Sequence, residues 1–140
     1  MPDPGQAVPV EAVAQPLCAA ADLVERGQAF VFDVLLRGRP ARAFVLRFDG
    51  RLVGYINRCG HVPVEMDWQP GEFLDQDKRW IVCAIHGASY EPADGHCVAG
   101  PCRSGKLIPV TVVECDGQAC WYPCGDIRPV PLAVASESSP

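Results

Sequence analysis

Residues 41–61 read ARAFVLRFDGRLVGYINRCGH, and this stretch decides the fold class. In an extended chain Arg42, Phe44, Leu46 and Phe48 share one face, while Ala43, Val45 and Arg47 share the other. Asp49-Gly50 then supplies the residue types that tolerate positive φ in a two-residue hairpin turn. Residues 51–57 return and run directly into Cys59-Gly60-His61. Upstream, the apolar and β-branched residues 29–36 end at Arg37-Gly38-Arg39-Pro40, which adds a third strand and predicts an antiparallel meander.

Further along, residues 80–83 form a short strand leading into Cys83-Ala84-Ile85-His86, and residues 107–115 and 118–122 flank a second hairpin signal, Asp116-Gly117. The single helical candidate is a turn at residues 22–26, closed by Gly27. Short, evenly spaced strands with Gly/Pro punctuation predict an all-β sandwich or barrel. Residues 58–103 are the richest in loops, as an inserted site would be. Pro2, Pro4, Pro9 and Pro16 block regular helix in residues 1–16, read as a mobile lead-in. Residues 17–124 are read as the domain, and residues 125–140, ending Ser-Glu-Ser-Ser-Pro, as a flexible tail.

At 140 residues the chain fits one domain, and 49% apolar content is enough for a core. A net charge of −5 argues against nucleic acid or an anionic membrane as partner. The first residues carry no basic, apolar leader, and no apolar run approaches the ~18 residues of a membrane helix. These features predict a soluble, cytoplasmic protein. In that reducing compartment eight cysteines suggest metal binding before disulfides.

Two motifs carry that chemistry: Cys59-Gly60-His61 is C-x-H, and Cys83-Ala84-Ile85-His86 is C-x-x-H, with 21 residues between His61 and Cys83. Zinc accepts the same Cys₂His₂ donors tetrahedrally, although zinc knuckles pair C-x-x-C with histidines instead of one of each per loop. Two buried cysteines and two hydrogen-bonded histidines without a metal are the plain structural reading.

The paired motifs resemble the Rieske iron–sulfur signature, over about residues 27–122. The resemblance implies a Rieske domain: a small antiparallel base with an inserted cluster-binding subdomain at about residues 58–103, holding one [2Fe–2S] cluster. It implies Cys59 and Cys83 on one iron and His61 and His86 on the other, solvent-near iron. Gly87 matches the family's H-G step, Tyr90 the tyrosine whose hydroxyl bonds a ligand sulfur, and Gly100-Pro101 the loop covering the cluster from a third side. Departures matter too. Val64 and Ile85 stand where quinol-oxidising Rieske proteins place a disulfide, and Ala88 where they place a serine donor. Fewer hydrogen bonds to sulfur stabilise the reduced cluster less, so a potential of roughly −150 mV to about 0 mV is expected.

This pattern is similar to soluble Rieske ferredoxins of ring-hydroxylating dioxygenases and to the small subunit of assimilatory nitrite reductase. It implies a one-electron carrier or redox-enzyme component, not a catalyst in its own right, between a flavoprotein reductase and a terminal oxygenase or reductase. A zinc-stabilised interaction module is the remaining alternative. Nothing after Tyr122 offers the two histidines and carboxylate of a mononuclear oxygenase iron.

Cys97, Cys102, Cys115, Cys120 and Cys124 read as small apolar thiols filling strand positions, against a zinc site or a disulfide across Asp116-Gly117. Cys18 carries no signal, and His96, in the Asp94-Gly95-His96 turn, reads as exposed. Glu65, Asp67, Glu72, Asp75 and Asp77 read as a solvated acidic face, or else as a docking patch for a basic partner. Trp68, Trp80 and Trp121 read as packing.

Overall fold

The computed structural model describes residues 13–59, 65–67, 69–84, 87–100 and 105–130. Strands β2 (Phe30–Leu36), β3 (Arg39–Phe48) and β4 (Arg51–Ile56) form the expected meander. Its register pairs Phe44 with both Val31 and Tyr55. Asp49 and Gly50 both take positive φ, at 54° and 78°, as the hairpin turn requires. Asp116-Gly117 does the same between β8 (Thr111–Cys115) and β9 (Gln118–Tyr122).

Three antiparallel sheets result. The meander gains β10 (Ile127–Arg128) beside β2, while β1 (Gln15–Ala19) pairs with β9 and so joins β8. The third sheet contains β5 (Ile81–Val82), β6 (Ser89–Tyr90) and β7 (Cys97–Ala99). From Ala43 to Leu46, β3 is buried on both faces. Phe44, Leu46 and Phe48 pack towards the loop-rich region with Met66, Phe73, Ile81 and Tyr90. Ala43 packs oppositely, with Val110, Trp121 and Ile127.

One reading changes. Residues 22–26 form no helix: a short 3₁₀ turn covers Ala20–Asp22, and Glu25 bridges to Arg47. Tertiary bonds take precedence here. The Glu25 carboxylate accepts the Asp49 and Gly50 N–H groups, and the Arg26 guanidinium lies 4.4 Å over the Phe48 ring. Strand order also extends beyond residues 17–124 at both ends. Gln15 and Pro16 pair with Trp121 and Cys120, and Ile127 pairs with Leu36. Ile127 covers apolar surface on Val34 and Leu36, which draws it into the sheet. The remainder of the expected lead-in, residues 1–12, and of the tail, residues 131–140, lies outside the described residues.

Candidate metal centre

Strand β4 delivers the first motif, and Asn57 shapes the loop that carries it. Among the described residues it is the buried polar residue of the core, 5% exposed. Its Oδ1 accepts the Met66 N–H at 2.8 Å, and its Nδ2 donates to Asp67 Oδ1 at 3.0 Å. One side chain thus closes the loop between residues 57 and 67, which contains Cys59 and His61. Asp67 Oδ2 also accepts the Gly71 N–H at 3.1 Å. Sequence reading missed Asn57, because only the folded loop brings residues 66 and 67 back to it.

The second motif comes directly after β5. The Cys83 N–H donates to the Ala88 carbonyl and the Gly87 N–H to the Cys83 carbonyl, each at 2.8 Å. Gly87 takes φ +74° in this turn, a conformation that costs glycine little. The Ala84 N–H donates to the Met66 carbonyl at 3.0 Å, tying the two motif loops together. Gly100 backs closely onto this turn: a Cβ there would lie 2.8 Å from Ala88 Cα and 2.9 Å from the Gly87 oxygen.

Cys59 and Cys83 are outside any disulfide, 4% and 0% exposed, in one apolar cluster with Tyr90 and Ala88. The Tyr90 hydroxyl lies 3.4 Å from Cys59 Sγ. His61, His86, Pro101, Val64, Ile85, Cys102 and Trp68 lie outside the described residues. Two buried thiols with no disulfide between them, on loops pinned to each other, fit the cysteine half of a Rieske site. A hydroxyl at one sulfur suits a thiolate better than a thiol, since it donates to the charged form.

Among the described residues no three His, Cys, Asp or Glu side chains gather as a metal group. Cys97 is in a disulfide, contrary to its reading as a thiol, whereas Cys18, Cys115, Cys120 and Cys124 are free. No disulfide therefore crosses the Asp116-Gly117 hairpin. Burial pushes the Cys18 and Cys120 thiols up, which keeps them protonated and unreactive at neutral pH.

His96 is exposed, its Nδ1 2.6 Å from Asp94 Oδ1. Trp121 is core and Trp80 lies under the Arg79 guanidinium at 3.9 Å. The acidic face is thinner than its sequence suggests. Asp67 is committed to its loop, and Asp75 Oδ1 accepts the Arg79 and Trp80 N–H groups. Nearby, the hydrogen bond from Arg79 holds the Glu91 carboxyl below its usual range. Among the described residues, no helix is long and apolar enough to cross a membrane.

No curated protein matches the chain. Among solved structures, it is similar to the ferredoxin of carbazole 1,9a-dioxygenase from Nocardioides aromaticivorans IC177, at 19% identity and TM-score 0.62, covering 79% of this chain and 98% of that one. It also matches a chain of the reduced complex between oxygenase and ferredoxin in carbazole 1,9a-dioxygenase, at 25% identity and TM-score 0.62, covering 87% of this chain and 31% of that one. A third likeness is to the terminal oxygenase of carbazole 1,9a-dioxygenase from Novosphingobium sp. KA1, at 23% identity and TM-score 0.62, covering 87% and 32%. The chain thus spans about a third of the length of the last two. The family model for the Rieske [2Fe-2S] domain matches residues 13–128. With that match over most of its length and the two cysteines set as described, the chain belongs to the Rieske [2Fe-2S] domain family.

Proposed function

We infer that this protein is a Rieske-type one-electron carrier, with Cys59 and Cys83 holding one iron of a [2Fe–2S] cluster and His61 and His86 the other. The observation that carries the reading is the pair of buried cysteines outside any disulfide, on mutually tied loops, with the Tyr90 hydroxyl at 3.4 Å from one of them. The cluster supplies reversible one-electron redox chemistry at a potential raised by its two neutral imidazoles. The chain's own residues fix the geometry and tune the charge. Asn57 and the Ala84–Met66 bond hold the two thiols in place, and the apolar surround of Phe73, Ile81 and Ala88 excludes water from the sulfur side.

Likeness to a dioxygenase ferredoxin, matched over nearly its whole length, supports a shuttle that takes electrons from a flavoprotein reductase and passes them to a terminal oxygenase or reductase. The deciding experiment is electron paramagnetic resonance of the purified protein after dithionite. A signal whose average g lies below that of a four-cysteine cluster is expected. A colourless protein with stoichiometric zinc would overturn the reading.

Tyr90→Phe tests the tuning. A hydrogen bond to a ligand sulfur favours the reduced, more negative cluster. Its loss is expected to lower the midpoint by about 40 mV, the one-electron equivalent of about 1 kcal/mol, in a spectroelectrochemical titration. An unchanged midpoint would mean that the hydroxyl does not bond the ligand sulfur.

A further inference from the structure

Beside the Cys59 loop the charge of the molecule reverses. A cavity of about 500 Å³ opens where the start of β3 meets the end of β4, lined by Arg37, Arg39, Arg42, Arg58, Asn57 and Glu65 among others. Four of the chain's twelve Lys and Arg residues therefore border one cavity in a protein of net charge −5. Arg37 pairs with Asp126 at 3.2 Å, and Arg42 reaches Asp33 only at 3.8 Å; both pairs are well exposed. Arg39 and Arg58 have no carboxylate partner among the described residues. Among the described lining residues, Glu65 is the lone acid.

Arg39 and Arg58, without a carboxylate partner among the described residues, each present a guanidinium fork matched to a carboxylate. Arg58 immediately precedes Cys59, and Asn57, which also borders the cavity, braces that same loop. A group seated here therefore contacts the segment of chain that leads into Cys59. Overall negative charge disfavours nucleic acid as the occupant.

We propose that this arginine cavity docks acidic side chains of the protein that exchanges electrons with the cluster, a role that rests on the electron-carrier reading. Docking here complements long-range steering: the net charge repels most acidic surfaces, while this cavity selects one that presents carboxylates in the right place.

The test uses a capped hexaglutamate peptide and the full-length purified protein, with binding measured by calorimetry at low salt. The R39A/R58A double variant is expected to bind about tenfold more weakly, the combined effect of two exposed ion pairs. A charge-matched control, R51A/K106A, removes two exposed cations that do not border the cavity and is expected to bind as the parent does. Equal weakening in the control, no peptide binding by the parent, or inorganic phosphate binding as tightly as the peptide would each overturn the proposal. For the reduced protein, the peptide is also expected to slow oxidation by ferricyanide in the parent but not in R39A/R58A. Binding is measured whether or not the protein is coloured, so loss of the cluster reading and loss of the docking reading are seen separately.

Discussion

Gly100→Ala is expected to destabilise the protein by about 3 kcal/mol and to lower its iron content, with Gly38→Ala as the control. Gly100 sits at φ +92°, where an added Cβ strains the backbone by about 1–3 kcal/mol. The same Cβ would meet Ala88 Cα at 2.8 Å, the Gly87 oxygen at 2.9 Å and Ala88 N at 3.2 Å. All three are backbone atoms, so no side chain can rotate away, and overpacking adds about 1–3 kcal/mol. Residues 87 and 88 cannot retreat freely either, because their amide and carbonyl are bonded to the Cys83 backbone at 2.8 Å. Pushing them displaces Cys83. Gly38 has φ +79° with open space around a Cβ, so its alanine variant bears the backbone cost alone. Thermal unfolding should fall by roughly 10 °C for Gly100→Ala and clearly less for Gly38→Ala. Equal shifts would mean that the contact with residues 87 and 88 contributes nothing.

Asn57→Ala should have an effect of similar size by a different route. The substitution removes the acceptor for the buried Met66 N–H and the donor to Asp67. An unsatisfied buried amide costs about 1–3 kcal/mol, and the loop bearing Cys59 and His61 loses its brace. We expect stability to drop by about 2–4 kcal/mol and visible absorption to bleach faster than in the parent under an iron chelator. Asn57→Asp should not rescue it. It keeps an acceptor for Met66 but sets a second carboxylate against Asp67, where like charges repel. Full recovery in the aspartate variant would show that only the Met66 bond matters.

Both predictions depend on contacts that no local pattern announces. The motif pair Cys59-Gly60-His61 and Cys83-Ala84-Ile85-His86 is legible because ligand chemistry restricts residue type at fixed spacing. Turn chemistry is equally local, so Asp49-Gly50 and Asp116-Gly117 mark hairpins that the structure contains. The alternation in residues 41–48 identifies a strand, although it cannot say that both faces will be covered. By contrast, β1 and β10 lie in Pro-rich ends and exist because a distant strand edge accepts them. Residues 22–26 have a helical composition, yet Glu25 and Arg26 gain more from the β3–β4 turn and the Phe48 ring.

The same division governs charge. By sequence Asp67 and Asp75 belong to an acidic face, but in the fold their carboxylates serve backbone N–H groups and Asn57. Arg37, Arg39, Arg42 and Arg58 are scattered over 22 residues of sequence and converge only because β3 and β4 pair antiparallel. From residues 41–61 alone, then, came the hairpin and the first pair of ligand-type residues, since each depends on near neighbours along the chain. Tertiary structure decided how Asn57 closes the loop, how closely Gly100 approaches Ala88 and where the arginines gather, because those depend on which distant residues pack together.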